Sequence, residues 1–137
     1  VYGPHQKENR LIPYVIKSCL QNIKFDCTSG KQIRNFMHVD DFSNFILKIL
    51  NKKNINSDVI NLGSEKSIKI KNIILRIKNI IKKGKPEFGK IKMREDETLK
   101  LYPDITKLKK IFKWKPEIKL GAGLKKTISV YEKKKIQ

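Results

Sequence analysis

Apolar residues recur at helical spacing through Leu11, Ile12, Val15, Ile16, Cys19 and Leu20. They predict a helix over 11–20, with Pro13 in its first turn, where a missing N–H breaks no internal bond. Residues 23–27 predict a short strand and Thr28-Ser29-Gly30 a turn. Beyond it, Ile33, Phe36 and Val39 predict a half-buried strand over 34–39, with Asp40 or Asp41 capping the next helix. That helix opens at Asp41 and carries one apolar stripe of Phe42, Phe45, Ile46, Ile49 and Leu50. A polar loop over 51–56 and a brief strand over 59–62, ended by Gly63, follow. Ser67 is expected to cap a long helix through Lys82, with Ile70, Ile73, Ile74, Ile77, Ile80 and Ile81 inward and lysines opposite. A Gly/Pro connection over 83–89, a strand over 90–93, a helix over 104–112 closed by Trp114-Lys115-Pro116, and a last helix over 120–131 complete the pattern. Leu124, Ile128 and Tyr131 give the last helix its inner face, Trp114 is expected to plug the core beside it, and the basic tail from about 132 is expected to fray. Helices mixed with short strands, without a run of βαβ units, make a small mixed α/β lobe and not a full dinucleotide-binding sheet.

A chain of 137 residues fits one domain with a real core. Its formal net charge of +19 suggests a polyanion-binding surface, and a basic nucleic-acid-binding module is one reading. Of the 32 basic residues, however, only Arg10, Arg34, Arg76 and Arg94 are arginine, which leaves 32 − 4 = 28 lysines beside abundant isoleucine and asparagine. That skew is the codon bias of an AT-rich genome acting on solvated positions, and it predicts lysines scattered over every outer helical surface.

Cys19 and Cys27 have no histidine nearby at metal spacing, and Cys19 sits in an apolar helical pattern, so both are expected as free thiols in a reducing, cytoplasmic compartment. No metal site is expected, and no apolar run approaches the length of a membrane span. The first residue is not methionine and the chain opens on a strand end, so a fragment is expected.

The chemistry concentrates in 30–41. Gly30 frees a turn, and Arg34 offers a planar, permanently charged fork of the kind that grips phosphate. In a chain so biased to lysine, an arginine departs from its own background. With Val1-Tyr2-Gly3-Pro4, Leu11-Ile12-Pro13, Gln32 and the Arg34 to Asp41 run, Arg94 with Asp96, and Trp114-Lys115-Pro116, five short motifs stand in one order. In that order the chain resembles the C-terminal half of the extended short-chain dehydrogenase/reductase family. That group includes the NAD(P)-dependent nucleotide-sugar epimerases, dehydratases and 4-ketoreductases. The departures are Asn35 where aspartate is usual and a terminal motif without its glycine.

The resemblance implies a substrate-binding portion spanning 1–137, with the N-terminal Rossmann domain absent. Arg34, Arg94, Asp96, Leu11 and Gln32 would meet a nucleotide-diphosphate sugar, Arg34 and Arg94 converging on one anionic cleft. Tyr2, Gly3 and Pro4 would lie near the cofactor, NAD or NADP, which the absent domain would mainly hold. The full-length protein would be a homodimer. The family's tyrosine and lysine, four residues apart, are matched in spacing only by Tyr131 and Lys135, far from the family's placement, so the fragment alone is expected to be inactive. His5 is a candidate for the pocket wall, and His38 for a structural role. Two alternatives remain open: a non-catalytic remnant of the same fold, and the nucleic-acid module.

Overall fold

The computed structural model describes residues 1–52 and 58–134; part of the expected 51–56 loop, the last three residues and the side chain of Lys134 lie outside them. Among the described residues there are five helices, α1 (Leu11–Leu20), α2 (Val39–Leu50), α3 (Ile70–Ile81), α4 (Thr106–Phe112) and α5 (Leu120–Lys134). Between them run β1 (Lys24–Cys27), β2 (Ile33–Asn35), β3 (Ser67–Lys69), β4 (Lys85–Phe88) and β5 (Lys100–Leu101). β1 and β4 form a parallel pair. β2 is the centre of a second sheet, antiparallel to β3 and parallel to β5. The architecture is the small mixed α/β lobe expected.

The main core is built by α1, α3 and α5 over β1. Val15, Ile16 and Cys19 of α1 meet Ile73, Ile74 and Ile77 of α3 and Leu124 and Ile128 of α5, all at 2% exposure or less. Burial of each branched aliphatic side chain contributes about 1.5–3 kcal/mol, so the isoleucine stripe of α3 is a principal stabiliser. Gly30, at φ 66°, admits α3 close to the turn after β1; a Cβ there would lie 2.8 Å from the Lys71 backbone nitrogen. Cys19 and Cys27 are free and buried, and burial pushes both thiols up to about 11. A smaller cluster joins α2 to α4: Phe45 packs against Phe112 and against Trp114, at ring-centroid distances of 5.1 and 4.7 Å.

Several local expectations are corrected. The strand over 34–39 ends at Asn35, because the chain breaks at Phe36 and His38 already caps α2, its Nδ1 accepting the Asp40 N–H at 3.2 Å. Asp40 and Asp41 lie in the first turn of α2. Asp40 pairs with Lys126, and Asp41 accepts from the backbone N–H groups of Glu117 and Ile118 at 3.0 and 3.1 Å, tying α2 to the approach of α5. Ser67 does not cap α3; it belongs to β3, and α3 starts at Ile70. The strand expected over 90–93 lies earlier, at β4, whose Pro86 is tolerated because β4 is an edge. Residues 59–62 form no strand, although Ile60 and Leu62 still reach the smaller cluster. On α2, Leu47 and Leu50 are exposed and only Phe45 of the stripe is fully buried. α5 is described through Lys134, and the rest of the tail expected to fray lies outside the described residues.

Candidate functional site

Arg34 occupies the middle of β2, flanked on both sides by strands. Its Nη1 donates to its neighbour's carbonyl, Ile33 O, at 2.9 Å, and its Nη2 donates to Glu97 Oε1 at 2.6 Å, with both side chains 23% exposed. These contacts do not use all five N–H donors of the guanidinium. Two adjoining hollows share Val1, Arg34 and Asn35 in their walls. One, of about 500 Å³, continues along Asn61, Gly63, Tyr102 and Asp104. The other, of about 320 Å³, continues along Tyr2, Arg10, Leu11, Ile12 and Phe36.

The second hollow is electropositive by construction. Arg10 and Arg34 both line it beside the first turn of α1, which holds no acidic residue and whose N-cap, Arg10, makes no side-chain cap. The positive end of the helix dipole adds to the two guanidinium groups. What this arrangement can do is bind an anion with two adjacent negative groups, one arginine to each.

The expected site residues separate into two sets. Arg34, Leu11 and Tyr2 line the groove. Gln32 lines neither hollow; it is buried and bonded to Thr28, its Nε2 donating to Oγ1 at 3.4 Å. Arg94 and Asp96 stand exposed on the loop between β4 and β5 and line neither hollow, so the expected convergence of Arg34 and Arg94 is not what the geometry displays. The same loop reaches Arg34 through Glu97 instead. The acid beside Arg34 therefore comes from 63 residues away. Arg10 was legible by the signal that marked Arg34, an arginine in a lysine-rich chain directly before a helix. Tyr102 and Asn61 carried no such mark.

A family model described as the NAD dependent epimerase/dehydratase family matches residues 1–63. CDP-abequose synthase of Salmonella muenchen is 34% identical over 139 residues, covering 96% of this chain and 45% of that protein. The chain belongs to that family. It spans less than half the length of the curated relatives it matches. UDP-glucuronate 4-epimerase of Thermodesulfobacterium geofontis is 32% identical, covering 94% of this chain and 40% of that protein. Among solved structures, UDP-glucuronic acid 4-epimerase from Bacillus cereus, in complex with UDP-glucuronic acid and NAD, superposes with a TM-score of 0.85 at 26% identity, covering 96% of this chain and 42% of that one.

For a member of the epimerase/dehydratase family, the unusual asparagine is explained by its partners. Asn35 Oδ1 accepts from Ser64 N at 2.7 Å while Nδ2 donates to Ser64 O at 2.8 Å, a pairing that needs a donor and an acceptor on one side chain. The pairing fixes Ser64 and so the adjoining Gly63 wall of the larger hollow, which Asn35 itself lines. Tyr131 donates to Gln6 O at 3.3 Å, and burial, then the charge of Glu8, raises its pKa, opposite to what proton exchange near neutrality requires; Lys135 lies outside the described residues. A Cβ on Gly3 would lie 2.5 Å from Val39 Cγ1, so glycine admits the close packing of the opening turn against α2. Among the described residues no helix is long and apolar enough to cross a membrane.

Proposed function

We propose that these 137 residues form the substrate-binding portion of an NAD(P)-dependent nucleotide-sugar epimerase, dehydratase or 4-ketoreductase, and that the groove at Arg34 takes the nucleotide diphosphate. The observation that carries this reading is the meeting of Arg10 and Arg34 on one hollow at the start of α1. A nucleoside diphosphate sugar carries two adjacent negative charges, and paired guanidinium groups suit them better than scattered lysines do. Relatives named for CDP-, UDP- and dTDP-linked sugars support the same ligand class. Leu11 flanks the nucleotide in the same hollow.

NAD or NADP is held mainly by a Rossmann domain outside these residues, which also supplies the tyrosine and lysine, so this portion alone turns nothing over. Its contribution is to hold the sugar against that centre, and positioning of this kind lowers a barrier by on the order of several kcal/mol. The intact enzyme is a homodimer in a reducing cytoplasm, in keeping with two free thiols. The rival nucleic-acid reading predicts lysines clustered on one face; Lys17, Lys48, Lys78, Lys109 and Lys125 lie one on each of the described helices, as the scattered-lysine reading expects.

Calorimetry of the chain with UDP, CDP, GDP and dTDP, against Arg34→Ala, tests the proposal. Wild type should bind at least one of them and the variant about tenfold or more weakly, the equivalent of one charge-assisted contact. Equal binding by both would remove the diphosphate from Arg34.

A further inference from the structure

We propose that His38 is a positioning residue for the anion groove, setting one wall of it through the ring of Tyr2, and that a proton on its imidazole undoes that setting. The inference rests on the reading that the groove takes a nucleoside diphosphate, and it adds a residue that lines neither hollow.

Tyr2 lines the groove and His38 does not, yet the two are built as one piece. The Tyr2 N–H donates to Met37 O at 2.9 Å and Tyr2 O accepts from the Val39 N–H at 2.8 Å, so Tyr2 hangs by both of its backbone groups from the stretch that carries His38. The rings of Tyr2 and His38 meet edge to face at 5.3 Å, and Tyr2 meets Phe36, which also lines the groove, at 6.3 Å. Gly123 of α5 lies against both rings, since a Cβ there would be 2.2 Å from the Tyr2 hydroxyl oxygen and 3.0 Å from His38 Cδ2. A turn of the imidazole is therefore passed to Tyr2.

The imidazole has a reason to turn. Nδ1 accepts from the Asp40 N–H at 3.2 Å, which leaves the proton of the neutral ring on Nε2. Nε2 is buried and has no partner among the described residues, so the orientation of the ring depends on the bond at Nδ1. A second proton makes Nδ1 a donor. The bond to the Asp40 N–H is then lost, and Asp40 Oδ2, 3.5 Å away, becomes an acceptor within reach. Lys126 already holds that carboxylate, and Asp41 is engaged by the Glu117 and Ile118 N–H groups. The charged and titratable groups facing His38 are thus Asp40 and Asp41 of its own helix, Lys126 of α5 and the Tyr2 phenol of the opening segment.

A proton on His38 has two opposing effects on an anion in the groove. Its charge attracts the anion, and its change of partner shifts the wall on which the anion rests. The charge arises 3.5 Å from Asp40 Oδ2, so the groove meets it as half of an ion pair, whose two fields largely cancel at a distance. The wall is displaced at contact range, and displacement dominates.

UDP-glucose and CDP-glucose, whose diphosphates are esterified at both ends and keep two charges throughout, are titrated by calorimetry from pH 7.5 to pH 5.5, with circular dichroism checking the fold at each step. Wild type should bind about fivefold more weakly at the acid end. His38→Asn offers the α2 cap an acceptor that takes up no proton, so its affinity should be level across the range. With two histidines in the sequence, the His38 Cε1–H resonance is assigned by that variant, and the Tyr2 ring protons by Tyr2→Phe. The Tyr2 ring should titrate with the midpoint of His38, and a bound sugar nucleotide should lower that midpoint, because a ligand that prefers the neutral ring makes protonation harder by linkage. A histidine that only stabilised the fold would give its midpoint no ligand dependence. Level affinity in wild type, the same acid loss in His38→Asn, or a Tyr2 ring indifferent to His38 would overturn the proposal. If neither sugar nucleotide binds wild type at pH 7.5 while Tyr2 still follows His38, the diphosphate reading fails and the coupling of His38 to the groove wall stands, so the two failures are read separately.

Discussion

Asn35 holds Ser64 by both ends of its amide, accepting from the Ser64 N–H and donating to the Ser64 carbonyl, 29 residues along the chain. The grip brings Gly63 so close that a Cβ there would lie 2.8 Å from Asn35 Oδ1 and 2.4 Å from Pro103 Cγ. An aspartate cannot donate, and its second oxygen would face the carbonyl of Ser64. Asn35→Asp is therefore expected to cost about 1–3 kcal/mol, the penalty of a partly buried acceptor left facing an anion. Urea unfolding at pH 7 measures it. A variant as stable as wild type would show that the second arm of the amide contributes nothing.

This clamp illustrates what the sequence could and could not disclose. Helical periodicity placed α1 to the residue and identified the inward isoleucines of α3, because burial on one face writes itself as local spacing. β5 and β3 left no such trace. They are two and three residues long and exist because β2 lies beside them, so their cause is tertiary. The start of α2 was misplaced for a related reason: two aspartates looked like caps, yet the buried His38 takes that place and Asp41 is drawn instead to the chain before α5. In the site, Arg34 was legible as an arginine among lysines, while its partner Glu97 was hidden by the α2, β3, α3 and β4 elements that lie between them in the chain.

Arg10 and Arg94 make unequal claims on the ligand. Arg10 lines the smaller hollow with Arg34, whereas Arg94 stands exposed on the rim loop. Arg10→Ala should weaken CDP or UDP binding by about five- to tenfold, and Arg94→Ala by less, because an exposed arginine is screened and mobile. Calorimetry at two salt concentrations measures both. The opposite order would move the phosphates from the start of α1 to the 94–97 turn.

Gly123, in α5, sits under the opening turn. A Cβ there would lie 2.2 Å from the Tyr2 hydroxyl oxygen and 3.0 Å from His38 Cδ2. Tyr2 is 2% exposed and bonds Leu120 O at 3.3 Å, so its ring has little room to retreat. Alanine would gain about 1 kcal/mol of helix propensity, but overpacking a closed contact costs about 1–3 kcal/mol and also shifts a wall of the anion groove. Gly123→Ala should therefore lower the urea midpoint or leave it unchanged, and should weaken nucleotide binding. A more stable variant with unaltered binding would show that Tyr2 moves freely and does not shape the groove.

His38 makes stability depend on pH. Its imidazole is buried against Tyr2 at a ring distance of 5.3 Å, Nδ1 accepts from the Asp40 N–H, and Nε2 has no partner among the described residues. Burial lowers its pKa below the ordinary 6.5; Asp40 and Asp41 oppose that shift and Lys126 adds to it. Protonation would place a hydrogen on the Nδ1 lone pair that now caps α2. Since the folded value lies below the unfolded one, the unfolded chain binds more protons between them. The contribution is fully present above about pH 6.5 and is lost as pH falls from there through the folded value. Urea unfolding from pH 7.5 to pH 5 should show stability falling in wild type. His38→Asn keeps a capping acceptor without a titrating group, so its slope should flatten over the same window. An unchanged slope in His38→Asn would assign the pH dependence to other groups, and the cap of α2 would then be indifferent to the proton.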